Sequence, residues 1–501
     1  MKSQGKYWIL GVFLWLGLIN PAYAAASTDP KILHLLNRLS FGPRPGDVAK
    51  VQKMGAENYI QEQLSPASIK ESPSLIAKIA SFETLQKSPL ELLREYNFRR
   101  PRNQKPTPEE IKAARERSRL ILQEALKARL LRATESSQQL QEVMVDFWYN
   151  HFNVFANKGL DRILVGSYEE QAIRPYVLGN FRQLLGATAH HPAMLFYLDN
   201  WQNTAPNSSG SRGRFKGLNE NYARELMELH TLGVDGGYTQ QDVIALARIL
   251  TGWGMPRPNT PATDNSGFYF DSNRHDFGEK VFLGQTIKGS GVDEGEKALD
   301  ILVRSPATAH HISYKLAEYF VVDQPPKALV DRLAKRFQAT DGDIKAVLTD
   351  LFASPEFNDP KYYNAKFKTP YQYVISSLRA TGTEVNNFNP ITGLLIQMGM
   401  PLYGCQTPNG YSNTQETWLN PDAMTRRLSF ATAIGSGRLN LQQMPNEKSR
   451  NNRNLAPPLN ATALATTLGD RFSEQTQKAI ASSPIPLRAA LILGSPEFMH
   501  R

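Results

Sequence analysis

The apolar residues of this chain recur mostly at intervals of three and four, the spacing of one face of an α-helix. Ile32, Leu35, Leu36 and Leu39 open the series, with Asp29 placed as a cap and Pro30 at the first helical position. Thr107-Pro108-Glu109-Glu110 combines a capping hydroxyl, a preset φ and first-turn carboxylates, and it predicts a long helix to about Ser136. Residues 137–152 continue as an amphipathic helix. Further helices are predicted near 158–187, 217–232, 239–252, 294–321, 326–338, 343–353, 369–382, 418–434 and 485–493, with Asp341-Gly342-Asp343 as a turn. Strand-like alternation is scarce. The expected fold class is mainly α, a large multi-helix assembly with long irregular loops and few or no strands.

Three polar stretches interrupt the pattern: 204–216, 254–273 and 435–458. The first two flank a densely charged helix and its successor, a placement that suits functional loops. The third reads as a linker (435–459) between a helical domain (25–434) and a C-terminal helical tail (460–501). Leu351-Phe-Ala-Ser-Pro-Glu-Phe357 echoes Ile492-Leu-Gly-Ser-Pro-Glu-Phe498. In each, Ser-Pro ends an apolar helix, because a proline ring disfavours helical geometry in the residue before it.

The first 24 residues have the form of an export signal: Lys2 and Lys6, an apolar run from Tyr7 to Ile19, then Ala22-Tyr23-Ala24. That run is short for a membrane span, and no later stretch is long and apolar enough to be one. A periplasmic or secreted protein, with no transmembrane segment after cleavage, is the expectation. Cys405 is the only cysteine, so an intramolecular disulfide and a multi-thiolate zinc site are both excluded. The net charge of +10 falls to +8 once Lys2 and Lys6 are removed, which is modest for this length. Export and the scattered charge argue against a nucleic-acid partner. The clusters Arg99-Arg100-Pro101-Arg102 and Arg212-Gly213-Arg214 suit solvent or anionic polymers.

The charged helix, Asn219 to Gly233, carries most of the candidate chemistry. Glu220, Arg224 and Glu228 fall at i, i+4 and i+8 and can form an ion-pair ladder. Asn221, Glu225 and Glu228 lie within about 60° of one another on the helical wheel. Glu225 and Glu228 can serve as metal ligands or as an acid–base pair. Alternatively, the same groups form a structural ion network. His230 points about 160° from Glu228 and reads as a core histidine. His151 ends the run Val143-Met-Val-Asp-Phe-Trp-Tyr-Asn-His and suits either a pocket rim or a helix C-cap. His275-Asp276 follows an irregular loop and is either a site dyad or an Asx turn. The doublets His190-His191 and His310-His311 read as structural or surface residues, because neighbours on a helix diverge by about 100°.

Several segments, in order, carry a family resemblance: His34-Leu-Leu-Asn-Arg-Leu-Ser-Phe-Gly42, Phe147-Trp-Tyr-Asn-His-Phe152, Pro192-Ala-Met-Leu-Phe-Tyr-Leu-Asp199, the 219–233 helix, Gly237-Tyr-Thr-Gln-Gln-Asp-Val243 and Ala247-Arg-Ile-Leu-Thr-Gly-Trp253. The chain resembles the DUF1800 family of exported bacterial proteins over roughly residues 30–434. The resemblance implies a DUF1501-family protein as a partner. It implies no established activity and no assigned catalytic residue.

Serine-hydrolase elbow, His-Glu-x-x-His and phosphate-loop motifs are absent from the sequence. Trp148, Tyr149, Tyr197, Trp201, Trp253, Phe268, Tyr269 and Phe270 recur near the candidate residues and suit either core packing or sugar binding. Two readings follow. In the first, His151, Arg224, Glu225, Glu228, His275 and Asp276 form the site of an enzyme acting on an extracellular polymer such as a polysaccharide. It uses acid–base chemistry, or a divalent metal held by Glu225, Glu228, His151 and His275. In the second, the protein is a non-catalytic scaffold in envelope assembly. The enzyme reading requires those side chains to converge on one wet cavity, within roughly 6 Å of a common point.

Overall fold

Capping side chains paired with proline set where many of the helices begin. Thr107 accepts from the Glu110 amide and the Glu110 carboxylate accepts from the Thr107 amide, opening the Pro108–Glu135 helix. The same device at Thr369-Pro370, with Gln372 as the return partner, opens Pro370–Thr381. Asp29-Pro30, Ser305-Pro306, Asn420-Pro421 and Ser495-Pro496 start helices in similar fashion.

The computed structural model describes residues 29–96, 107–213, 215–256, 264–439, 441–442, 457–469 and 472–501. Residues 1–24, expected to be an export signal, the 99–102 arginine cluster, Arg214 and most of 435–459 lie outside the described residues. The fold is mainly α. Two small antiparallel pairs are present: Trp253–Gly254 with Tyr269–Phe270, and Lys280–Phe282 with Gln285–Ile287. Among the described residues no helix is long and apolar enough to cross a membrane.

Two of the long predicted helices are broken. The 294–321 prediction splits into Val292–Arg304 and Pro306–Phe320, because Ser305 is held extended by the proline after it. The 158–187 prediction becomes an α-helix over Asp161–Ser167, a π-turn over Tyr168–Ile173, a short 3₁₀ turn containing Pro175, and a new helix over Phe181–His190. The π-turn carries Glu169 into the core. There it meets Arg129 at 3.0 Å and Arg174 at 3.4 Å, while Arg129 also holds Asp146 at 2.6 Å. This network ties the Pro108–Glu135 and Gln139–His151 helices to the π-turn.

One apolar core runs through the described chain, from Leu35 and Leu39 to Leu493 and Phe498. The Pro306–Phe320 helix packs on Lys327–Ala339, and that helix packs on Ile344–Ala353. The C-terminal segment packs into this body. Ile485–Leu493 lies along Pro421–Gly435. Lys366 and Arg501 exchange backbone hydrogen bonds at 3.2 and 2.8 Å. The Ser-Pro-Glu-Phe echo is also structural: Ser354 caps Pro355–Asn358 and Ser495 caps Pro496–Met499, and Phe357 and Phe498 are both buried.

Candidate functional site

The charged helix spans Asn221–Glu228, shorter than its sequence pattern. Tyr222, Ala223, Leu226 and Met227 are buried beneath it. Its outer face carries the expected ladder, with Arg224 at 3.3 Å from Glu220 and 3.7 Å from Glu228. Gln240 bridges Glu220 and Arg224 at 2.8 Å to each. Burial raises the Glu225 carboxyl above its ordinary range, Glu228 adds to that, and Arg224 opposes it.

The last carbonyls of a helix lack intrahelical partners. Here the carbonyls just beyond the helix are met by histidines from two other elements. His151, which ends Gln139–His151, places Nε2 3.2 Å from the His230 carbonyl. His311, on Pro306–Phe320, places Nε2 3.3 Å from the Leu229 carbonyl. A carbonyl only accepts, so these contacts assign the proton to Nε2 and leave the lone pair of each neutral ring on Nδ1.

Between these elements lies a cavity of about 360 Å³. Its titratable lining is His151, Glu228, His311, Lys315, Glu318 and Tyr411, and the 409–413 loop closes one side. Val234, at the rim, is well exposed. The loop is clamped by Asn150, which donates to the Tyr411 carbonyl and accepts from the Tyr411 amide, both at 2.7 Å. Gly410 has φ +71°, and a Cβ there would sit 2.2 Å from the Asn150 carbonyl oxygen, so only glycine fits.

Burial reshapes proton affinity in this cavity. It holds His151 well below the ordinary imidazole value, with His230 and His311 adding repulsion. It lowers His311 to about 4, helped by Lys315, and lowers His230, packed behind, to about 3. Glu318 moves the other way: burial raises its carboxyl against the pull of Lys315 and Lys366. Burial therefore lifts a carboxyl and lowers the imidazoles around the same space. Neither Lys315 nor Glu318 forms an ion pair among the described residues.

His275 and Asp276 belong to a different environment. The His275 Nδ1 donates to the Thr251 carbonyl at 2.8 Å, and its Nε2 lies 2.9 Å from Glu294. Lys280 meets the other Glu294 oxygen at 2.5 Å. Glu294 also accepts the Ser290 and Gly291 amides, capping its own helix. The side chains of His275, Lys280 and Glu294 are all fully buried. Asp276 pairs with Arg248 at 2.7 Å and closes an Asx turn to the Gly278 amide.

The structure thus brings His151 and Glu228 to one cavity. Glu225 neighbours Glu228 without lining that cavity, Arg224 braces the ladder outside it, and His275 and Asp276 are engaged elsewhere. Glu225, Glu228, His151 and His275 are not gathered at one point. Among the described residues no group of three or more His, Cys, Asp or Glu side chains is placed to hold a metal ion. Three lining residues were missed by sequence reasoning: His311, Lys315 and Glu318. Their signal is an i, i+4, i+7 stripe on an otherwise apolar helix, obscured by the reading of His310-His311 as a doublet. His310 is exposed while His311 turns inward, as the 100° step requires. His190 pairs with Glu296 at 2.8 Å, and His191 caps Pro192–Tyr197. Trp148, Tyr149, Tyr197 and Trp253 are core residues, and the aromatic rings on the cavity lining are Phe147 and Tyr411.

Neither the curated proteins nor the solved structures provide a match to this chain. A family model does, and it covers residues 34–500, past the C-terminal limit of the 30–434 span marked by the motifs and through the closing Ser-Pro-Glu-Phe. The chain belongs to the DUF1800 family, described as proteins of unknown function.

Proposed function

We propose that this is an exported enzyme that performs acid–base chemistry on an extracellular polymer, a polysaccharide in its most concrete form, at the His151–His311 cavity. Glu318 is the proton donor. Lys315 orients an oxygen-rich or anionic group of the substrate, and Glu228 faces them across the same space. The neutral imidazoles of His151 and His311 offer Nδ1 as an acceptor. The observation that carries this reading is that titratable side chains from four chain segments line one solvent-reached cavity, with a carboxyl and imidazoles displaced in opposite directions. Acid–base chemistry is preferred to the metal-assisted form because the four proposed metal donors are not gathered. A non-catalytic scaffold, paired with a DUF1501-family protein, is the second reading, and the separation of His275 and Asp276 from the cavity favours it.

The test uses the exported protein and a panel of neutral and uronic-acid polysaccharides, with new reducing ends as the readout. Wild type should release reducing ends from at least one. Glu318→Gln should release them about a hundredfold more slowly, the usual share of a general acid, at an unchanged melting temperature. Release by wild type no faster than by Glu318→Gln overturns the catalytic reading. Mass spectrometry of the exported protein should find Ala25 at the mature N-terminus.

A further inference from the structure

Four cationic side chains are buried close together with no carboxylate in ion-pair contact among the described residues. Arg38, Lys368, Arg427 and Arg501 are each at most 4 % exposed. They come from the Pro30–Leu39 helix, the turn before Pro370–Thr381, the Pro421–Gly435 helix and the C-terminal segment. Backbone contacts join three of these segments: Arg427 donates to the Lys368 carbonyl at 2.7 Å, and the Lys368 amide donates to the Met499 carbonyl at 2.9 Å. Arg38 donates to the Val321 and Tyr362 carbonyls, and Arg501 to that of Tyr319. Rings cover the rest, with Arg427 over Phe367 and Tyr373 and Arg501 over Tyr319.

None of the four forms an ion pair with a carboxylate among the described residues. Nε and Nη1 of Arg38, Nη1 of Arg427 and Nε of Arg501 have no hydrogen-bond partner there. They also repel one another. Burial, then Arg501 and Arg427, hold the Lys368 amine well below its ordinary value, and burial with Arg501 does the same to Arg38 against the weaker pull of Asp323. Uncompensated buried charge is costly, and folded proteins rarely leave it without a counter-ion.

Lys368 opens onto a cavity of about 560 Å³ that shares no lining residue with the His151 cavity. This volume is within the range of small-molecule sites. The ammonium lies 4.0 Å from the centre of the Phe498 ring and makes no hydrogen bond among the described residues. Leu33, Leu468, Phe472 and Phe498 supply apolar wall, and Asn37 supplies an amide. Among the described residues the one carboxylate on the lining, Glu497, is already engaged by the Ser473 amide at 2.8 Å and the Thr476 hydroxyl at 3.1 Å.

We propose that this cavity binds an amphipathic anion, its apolar body against Leu33, Leu468, Phe472 and Phe498 and its carboxylate, phosphate or sulfonate group on the Lys368 ammonium. The anion supplies the counter-charge that Lys368, the one of the four on the cavity lining, lacks among the described residues. This site is separate from the proposed acid–base cavity and does not depend on it.

Calorimetry of the full chain with phenyl phosphate, and with benzyl alcohol as its uncharged counterpart, tests this. Phenyl phosphate should bind at least about tenfold more tightly, the value of one charge-assisted contact. Lys368→Met should abolish that difference and leave the melting temperature unchanged or higher, because it removes a buried amine that no protein group among the described residues satisfies. Asn37→Trp keeps every cation but fills the cavity, and should weaken binding of both probes. Equal affinity of wild type for the two probes overturns the proposal. So does undiminished phenyl phosphate binding by Lys368→Met or, if that variant does not fold, by Asn37→Trp.

Discussion

Two clusters in this molecule contain the same trio of residue types, and the fold treats them in opposite ways. His275, Lys280 and Glu294 are sealed, and both Glu294 oxygens are occupied by protein donors. His311, Lys315 and Glu318 face a cavity, and their lysine and glutamate are left without an ion pair among the described residues. A polar cluster whose valences are all used internally is part of the scaffold. One whose valences are left toward solvent is available to a ligand. The difference lies in partners supplied by other segments, not in residue type.

The sharpest way to break the comparison is to remove the glutamate from each trio. Glu294→Ala strands a buried lysine and histidine and uncaps the Val292–Arg304 helix, so urea unfolding should show a loss of about 3–5 kcal/mol. Glu318→Gln removes a carboxyl that no donor satisfies, and its cost should stay below about 1 kcal/mol. Similar losses at the two positions would erase the distinction between a sealed and an open cluster.

Acid should separate the clusters next. Imidazoles held below their ordinary value of 6.5 in the folded state give stability that is full above 6.5 and is lost as pH falls toward their folded values. A fully buried imidazole such as His230, held to about 3, should account for about 2 kcal/mol by pH 5. His34 and His191, also held near 3 by burial, contribute in the same direction. Glu318 has the opposite sign: its raised carboxyl takes up a proton more readily when folded, so it favours the fold as pH drops toward 4.5. In the sealed cluster, burial would raise Glu294, but hydrogen bonds from His275 and Lys280 outweigh it and hold the carboxyl below 4.5. Its contribution therefore persists to pH 4.5 and is lost only below. Urea midpoints from pH 7 to 5 should fall for wild type and fall less for His230→Phe. An unchanged slope in that variant would remove His230 from the account.

Local signals in the sequence carried much of the fold. The Thr107–Glu110 capping box and the Ser-Pro helix starts involve neighbours in the chain, so their outcome is readable without tertiary structure. Helix ends were harder. The π-turn at Tyr168–Ile173 carries Glu169 to Arg129, 40 positions earlier in the chain, and no short window contains that pairing. His151 was legible as a site residue because it ends an amphipathic helix, and Glu228 because it shares a charged face with Glu225 and Arg224. His275 attracted the same attention, but its partner Glu294 lies 19 positions along the chain. His311, Lys315 and Glu318 were legible in principle, as one polar stripe on an apolar helix.

The smallest effect belongs to the Glu220–Arg224–Glu228 ladder on the charged helix. Arg224 and Glu220 are each more than a third exposed, and Glu228 is a quarter exposed. Exposed i, i+4 pairs contribute about 0.5 kcal/mol or less and weaken further with salt. The helix is held instead by Tyr222, Leu226 and Met227, which are buried beneath it. Arg224→Ala should therefore cost less than about 1 kcal/mol, and the cost should shrink at high salt. It should also raise the Glu225 carboxyl further, since Arg224 is the group that opposes burial and Glu228 there. A chemical-shift titration of Glu225 in both proteins reads that displacement directly. A large stability loss that salt leaves unchanged would mean that Arg224 holds the helix end, and with it the wall that carries Glu228, in place.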